Sequence, residues 1–163
     1  MITAYRIFKS KHAATWYDGE GAFRYGGRWN SQGTRLLYAS STLSLAALEM
    51  LVNLNAEDLL LAYSFARVEF ESDIILSVEK FRKLPKQWAD SPPSAEIQAI
   101  GDEWAVSLRS VVLQVPSAVL PNESNFLISI NHSDFPQVRL GKVEAFKFDQ
   151  RLRRSLRPDF LNP

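Results

Sequence analysis

The sequence predicts an α+β fold in a single domain. Three observations carry this expectation. Segments with strand and helix patterns mix along the chain without a regular strand–helix–strand alternation. Of the 163 residues, 46% are hydrophobic and 12% aromatic, enough to fill a sizeable core. Residues 42–52 read as a helix that is apolar almost all the way round, the mark of an element packed inside a fold.

Taken in order, residues 3–8 read as a first strand, with Tyr5 and Ile7 on one face and Arg6 and Phe8 on the other. Arg6, in so apolar a strand, is expected to be a paired structural arginine. Residues 12–30 read as an irregular loop carrying Gly19, Gly21, Gly26 and Gly27. Two nucleotide motifs nearly form there. A dinucleotide fingerprint would need a glycine where Arg24 stands, and a P-loop would need a lysine where Gly27 stands. Neither has the strand–turn–helix setting such motifs require, so both are rejected.

Residues 35–39 read as a strand leading into the 42–52 helix. Residues 59–70 are a further strand, with Leu61, Tyr63 and Phe65 on one face and Ala62, Ala66 and Val68 on the other. Residues 74–78 fit a short strand. Ser91-Pro92-Pro93-Ser94 signals a helix start, and the helix runs to about Leu108 with Ile97, Ile100, Trp104 and Leu108 on one stripe. Gly101 weakens it by about 1 kcal/mol relative to alanine. Residues 111–115 read as a buried strand that breaks at Pro116-Ser117. A strand over 125–130, a loop over 131–135 and a last strand over 143–148 follow. Asp149 is placed to cap a final helix over 150–156.

Composition excludes several classes. There is no cysteine, so neither a disulfide framework nor a thiolate metal site exists. His12 and His132 lie far apart in sequence, which argues against zinc, and no metal is expected. A net charge of +1 argues against nucleic acid or an anionic membrane as the main partner. No signal-peptide pattern and no membrane-length apolar run is present, so a soluble, cytoplasmic protein is expected.

The most informative stretch is residues 26–52. Glu49 stands alone among apolar neighbours, and carboxylates are seldom buried without a partner. Either it borders the core and pairs with an arginine, or it serves a cleft. Arg28 follows two glycines, where backbone can turn sharply and approach a ligand. Ser117 alone would read as an ordinary turn serine. Taken together, Gly26-Gly27-Arg28-Trp29-Asn30, then Tyr38-Ala39-Ser40, then Ala46 and Glu49 resemble the RES domain, the toxin of RES–Xre toxin–antitoxin pairs. The arginine, glutamate and serine of the family's name correspond to Arg28, Glu49 and Ser117. The resemblance runs from Tyr5-Arg6 to about Phe135. It departs where the family has Asn-Pro and His-Pro pairs; here stand Ser129-Ile130 and His132-Ser133.

The resemblance implies one RES-like domain over residues 1–163, with a split mixed β core and flanking helices similar to ADP-ribosyltransferase toxins. It implies NAD⁺ as substrate and cleavage of the nicotinamide–ribose bond. Arg28, Tyr38, Glu49 and Ser117 would be catalytic, and Gly27, Arg28, Trp29, Asn30, Tyr38 and Asn125 would hold NAD⁺. The residue types suit the task. A guanidinium binds phosphate oxygens in pairs. Tyr38 or Trp29 would stack on the cationic nicotinamide ring. A fixed carboxylate, Glu49, would stabilise positive charge on the ribose as nicotinamide leaves. Ser117 and Asn125 would position ribose or phosphate. Gly27, Arg28, Tyr38 and Glu49 are therefore expected to converge on one cleft.

The acceptor stays open between water, inorganic phosphate and a protein side chain. A non-catalytic nucleotide-binding module is the alternative. A toxin acting on nucleic acid through Arg151, Arg153, Arg154 and Arg157 is a third reading, which the near-neutral charge opposes. The implied partner is an Xre-type helix-turn-helix antitoxin that blocks the cleft, with no direct nucleic-acid or membrane contact.

Overall fold

The computed structural model describes residues 1–152. Its strands are β1 (Ile2–Lys9), β2 (Leu36–Ser40), β3 (Tyr63–Phe70), β4 (Ile75–Ser77), β5 (Val112–Pro116), β6 (Ser124–Ser129), β7 (Arg139–Leu140) and β8 (Glu144–Phe146). Its helices are α1 (Glu20–Tyr25), α2 (Leu43–Leu51), α3 (Val78–Phe81) and α4 (Ala95–Ser107). The strands form one mixed sheet in the order β4-β5-β6-β2-β1-β3-β7, with β8 also on β3. Only β4 and β5 run parallel; the other pairs are antiparallel.

Pairing along this sheet is uneven. β1 zips to β3 over its whole length, from Ile2↔Phe70 to Lys9↔Tyr63. β2 zips to β6 from Leu36↔Ser129 to Ser40↔Asn125. Between these two blocks, β1 and β2 share the single register pair Tyr5↔Ser40. Beyond that pair the sheet opens. The α+β expectation with a split mixed β core holds, and the split lies between β1 and β2.

Side-chain alternation sorts the core into three clusters. In β2, Leu37 and Ala39 join Ala4, Phe8, Ala66, Val68, Phe126 and Ile128 on one face. Leu36 joins Trp29, Ile97, Ile100, Trp104, Leu113 and Leu127 under α4 on the other. A third cluster, Ile7, Ala46, Leu59, Tyr63, Phe65 and Phe148, lies beneath α2.

Helix α2 begins where its sequence signals: Thr42 Oγ1 accepts the Leu45 amide at 3.0 Å. It is not enclosed, however. Only Leu45 and Ala46 of the helix are buried, while Leu48 and Val52 are 37% and 61% exposed. One side of the helix packs on β1 and the third cluster, and the opposite side faces solvent. Glu49 therefore sits at a rim rather than inside a core.

Other expectations are corrected in detail. The 12–30 segment is not all loop, since α1 starts after Gly19 in the left-handed region, with Asp18 Oδ1 accepting the Glu20 amide at 2.9 Å. The 59–70 strand begins at Tyr63, because Asn55 Oδ1 accepts the amides of Glu57 and Asp58 and coils the chain into a short 3₁₀ turn at Asp58–Leu60. The 74–78 strand yields to α3 at Val78. Leu108 is not on the buried stripe of α4; it is the helix's left-handed C-cap (φ 51) and 59% exposed. The last strand is shorter than 143–148, and β7 was not foreseen. Asp149 Oδ1 does accept the Arg151 amide at 2.8 Å, but the 150–156 helix beyond Leu152, with Arg153, Arg154 and Arg157, lies outside the described residues.

Gly101 has a structural reason. A Cβ there would lie 1.8 Å from the Trp29 carbonyl oxygen, because the backbone of the 26–30 segment crosses α4 in direct contact. Helix propensity favours Gly101→Ala by about 1 kcal/mol. Steric exclusion predicts the opposite sign, a loss of roughly 1–3 kcal/mol as for other overpacked sites. Urea denaturation of the variant gives the sign, and a stabilised Gly101→Ala would contradict the close crossing.

Candidate functional site

The sheet's opening forms a cleft of about 150 Å³ lined by Tyr5, Arg6, Ile7, Tyr38, Ala39, Ser40, Ala46, Glu49, Met50 and Asn125. β1 and β2 supply its two walls, α2 covers it and β6 closes one end. Among the described residues, no group of three or more His, Cys, Asp or Glu is placed to hold a metal ion.

Glu49 is the hub. Its Oε1 accepts the Ser117 hydroxyl at 2.7 Å and the Asn125 amide at 2.6 Å. Among the described residues no Lys or Arg pairs with it, so the ion-paired alternative does not describe this structure. Hydrogen bonds to a charged acceptor are the stronger kind, and two on one oxygen fix the carboxylate's rotation. Glu49 Oε2 makes no hydrogen bond among the described residues, and Glu49 is one of the residues that line the cleft.

Ser117 is a turn serine that also reaches Glu49. It is fully buried at the end of β5. Its Oγ accepts the Val119 and Leu120 amides at 3.1 and 3.0 Å, as a turn serine does, and spends its own proton on Glu49. Asn125 reaches Glu49 because β6 places it directly across from Ser40, whose hydroxyl donates to Asn125 Oδ1 at 2.7 Å.

Arg6 enters from β1. Its Nη1 donates to the Tyr38 carbonyl at 2.9 Å, bridging the strands where their own pairing has ended. Its Nε is buried without a partner, and among the described residues no carboxylate lies within salt-bridge range. The paired arginine expected here is thus an under-satisfied one. Burial lowers its pKa, an effect the charge of Asp18 partly offsets. Buried donors seldom stay unpaired, and this orphan belongs to a residue that lines the cleft.

The glycine-led motif lies behind this cleft, not around it. Tyr38 lines the cleft, yet its hydroxyl turns inward, donating to Asn30 Oδ1 at 2.6 Å and accepting the Trp29 amide at 3.3 Å. Burial pushes that hydroxyl's pKa well above the ordinary phenol range, so it stays neutral. Gly27 makes room for it: a Cβ there would lie 2.7 Å from the tyrosine oxygen. Asn30 is fully buried and its amide donates to the carbonyls of Ala22, Ser31 and Thr34. Trp29 is buried and stacks on Trp88 with centroids 6.2 Å apart. Arg28 Nη1 donates to the carbonyls of Trp88 and Asp90, at 3.1 and 2.7 Å.

The structure therefore brings Tyr38, Glu49, Ser117 and Asn125 together. It places Gly27, Trp29 and Asn30 in a second layer behind Tyr38, and it holds Arg28 on the 88–90 segment, outside the residues that line the cleft. Of Gly27, Arg28, Tyr38 and Glu49, expected to converge on one cleft, only Tyr38 and Glu49 line it; two backbone carbonyls hold the Arg28 guanidinium elsewhere and Gly27 packs behind Tyr38. Tyr5, Arg6 and Ser40 line the cleft, carry polar groups and are absent from the sequence-derived site. A charge in an otherwise apolar strand was the available signal for Arg6. Ser40 had none beyond its place in the Tyr38-Ala39-Ser40 motif.

A split mixed sheet with a carboxylate-centred cleft defines the class of fold. Residues 3–149 match the model of the RES domain, and the chain belongs to the RES domain family. It is 36% identical over 151 residues to Toxin Res of Yersinia enterocolitica, covering 91% of this chain and 98% of that protein. It is also 36% identical over 137 residues to the Prs ADP-ribosylating toxin of a Sphingobium species, covering 83% and 85% of the two chains. The fold matches a chain in the crystal structure of the M. tuberculosis MbcT–MbcA toxin–antitoxin complex. The TM-score is 0.71 at 21% identity, over 96% of this chain and 88% of that one.

The inward hydroxyl of Tyr38 gives a testable division of labour. Tyr38→Phe keeps the ring in the cleft wall but leaves buried Asn30 Oδ1 and the Trp29 amide short of a partner. Stability is expected to fall by about 1–3 kcal/mol, the cost of unsatisfied buried groups. Chemical denaturation of the variant beside wild type checks this; an unchanged midpoint would contradict the network.

Proposed function

We propose that the chain is the toxin of a toxin–antitoxin pair and cleaves the nicotinamide–ribose bond of NAD⁺. The observation that carries this reading is the Glu49 carboxylate in the cleft lining, with one oxygen tied to Ser117 and Asn125 and no hydrogen bond to the other among the described residues. A carboxylate held in place before the reaction stabilises positive charge developing on the ribose without having to reorganise. The cleft is smaller than the roughly 300–1,000 Å³ that encloses a whole drug-sized ligand. At about 150 Å³ it suits one end of a dinucleotide, with the rest lying outside.

In this reading the chain's residues divide the work. Tyr38 offers its ring to the cationic nicotinamide. Arg6 lines the cleft and places its guanidinium charge beside the ligand. Arg28 keeps Nη1 on the 88–90 segment and presents its remaining edge to phosphate at the periphery. Gly27, Trp29 and Asn30 act through Tyr38 rather than by touching the ligand. Ser117 and Asn125 serve Glu49 first.

Water and inorganic phosphate are the acceptors we favour, giving hydrolysis or phosphorolysis and depletion of NAD⁺. Transfer of ADP-ribose to a protein is the second reading, supported by the similarity to the Prs ADP-ribosylating toxin. An antitoxin partner is supported by the fold shared with a chain from the MbcT–MbcA toxin–antitoxin complex; that it is a helix-turn-helix protein of the Xre type covering the cleft rests on the family resemblance. Such a toxin acts in the cytoplasm, where NAD⁺ is held. Among the described residues no helix is long and apolar enough to cross a membrane.

Glu49→Gln tests the reading. The glutamine carbonyl can still accept from Ser117 and Asn125, so the melting temperature should stay near wild type. Nicotinamide release should fall on the order of a hundredfold or more, the scale of losing one preorganised electrostatic group. Mass spectrometry of wild-type products with and without phosphate identifies the acceptor. A folded Glu49→Gln that releases nicotinamide at the wild-type rate would remove the carboxylate from the chemistry.

A further inference from the structure

We propose that Ser40 is a positioning residue for Glu49, acting through Asn125. The inference rests on Glu49 being the reacting carboxylate, and it assigns work to a cleft-lining residue whose hydroxyl bonds to Asn125 rather than to Glu49.

The geometry is a relay of three side chains from three elements. Ser40 closes β2 at the one register pair, Tyr5↔Ser40, that joins the two halves of the sheet. Its backbone is therefore held from both sides, by Tyr5 on β1 and by Asn125 on β6. Directly opposed residues on neighbouring strands have side chains within reach of each other. Ser40, only 6% exposed, uses this contact to donate its hydroxyl proton to Asn125 Oδ1 at 2.7 Å. The amide's other end then faces Glu49, and Nδ2 donates to Oε1 at 2.6 Å.

Direction matters in this relay. A primary amide has an accepting end and a donating end of nearly the same shape. Glu49 needs the donating end, since the carbonyl oxygen of a turned amide would face a carboxylate oxygen. Ser40 supplies the donor that satisfies the accepting end, so the right orientation has both ends bonded and the turned one has a repulsive contact. Without the Ser40 hydroxyl, Asn125 Oδ1 loses its donor within the protein, and the side chain is held only by the group it is meant to hold. Glu49 Oε1 would then rest on Ser117 alone, and the carboxylate could rotate out of the aligned position. Misalignment of a reacting group lowers turnover more than it lowers ligand affinity.

The test uses Ser40→Ala and Ser40→Thr in the full chain, with two readouts. The first is the Asn125 side-chain amide in a ¹H–¹⁵N correlation spectrum, assigned by its loss in Asn125→Ala. In wild type its carboxylate-bonded proton should lie downfield and exchange slowly with solvent. Ser40→Ala should abolish both properties and Ser40→Thr, which keeps a hydroxyl, should restore them. The second is nicotinamide release. Ser40→Ala should lower kcat at least about fivefold with KM within twofold of wild type, and Ser40→Thr should recover most of the loss. An Asn125 amide signal that is the same in Ser40→Ala as in wild type overturns the relay. So does a Ser40→Ala variant with wild-type kcat when Glu49→Gln is inactive. If the wild-type protein releases no nicotinamide, the NAD⁺ reading fails, and the amide signal alone still decides the relay for or against.

Discussion

Glu49 ties a helix to two strands through a single oxygen. The bonds from Ser117 and Asn125 reach it from the end of β5 and from β6, while the glutamate itself stands on α2. A carboxylate among apolar residues is costly unless its acceptor sites are met. Here one oxygen is met twice within the protein, and the other makes no hydrogen bond among the described residues. The arrangement satisfies the charge well enough for the fold to tolerate it without an ion pair among the described residues. Pairing with an arginine would have met the same need and removed the carboxylate from use.

The cleft exists because the sheet is incompletely zipped. β1 belongs to β3 and β2 belongs to β6, and one residue pair joins the blocks. Arg6 spans the opening with one nitrogen on the Tyr38 carbonyl and leaves another unpartnered. Behind the β2 wall the packing is close. Gly27 approaches the Tyr38 hydroxyl and Gly101 approaches the Trp29 carbonyl, each nearer than any side chain would allow. The 26–30 motif thus holds Tyr38 from behind.

Much of this was legible from residues alone. The solitary Glu49 in an apolar helix marked a site because nothing local would satisfy it. β1, β2, β5, β6 and α4 followed from alternation, caps and prolines, which are local signals. Ser117 could be connected to Glu49 only through family resemblance, since its 68-residue separation leaves no local trace. The placement of Arg28 was not legible: a guanidinium's target depends on which backbone carbonyls tertiary packing brings near, and those of Trp88 and Asp90 come from a distant loop. The α2 pattern overstated burial, because a composition apolar on all sides does not say how many sides find a neighbour.

The central claim is that Glu49 meets the ligand with one oxygen while the protein holds the other. A crystal structure with a non-cleavable NAD⁺ analogue tests it most directly. The account predicts the nicotinamide ribose between β1 and β2, within hydrogen-bond reach of Glu49 Oε2, with Oε1 still on Ser117 and Asn125. An analogue bound away from this cleft, or a Glu49 turned out of its bonds to Ser117 and Asn125 in the complex, would contradict it.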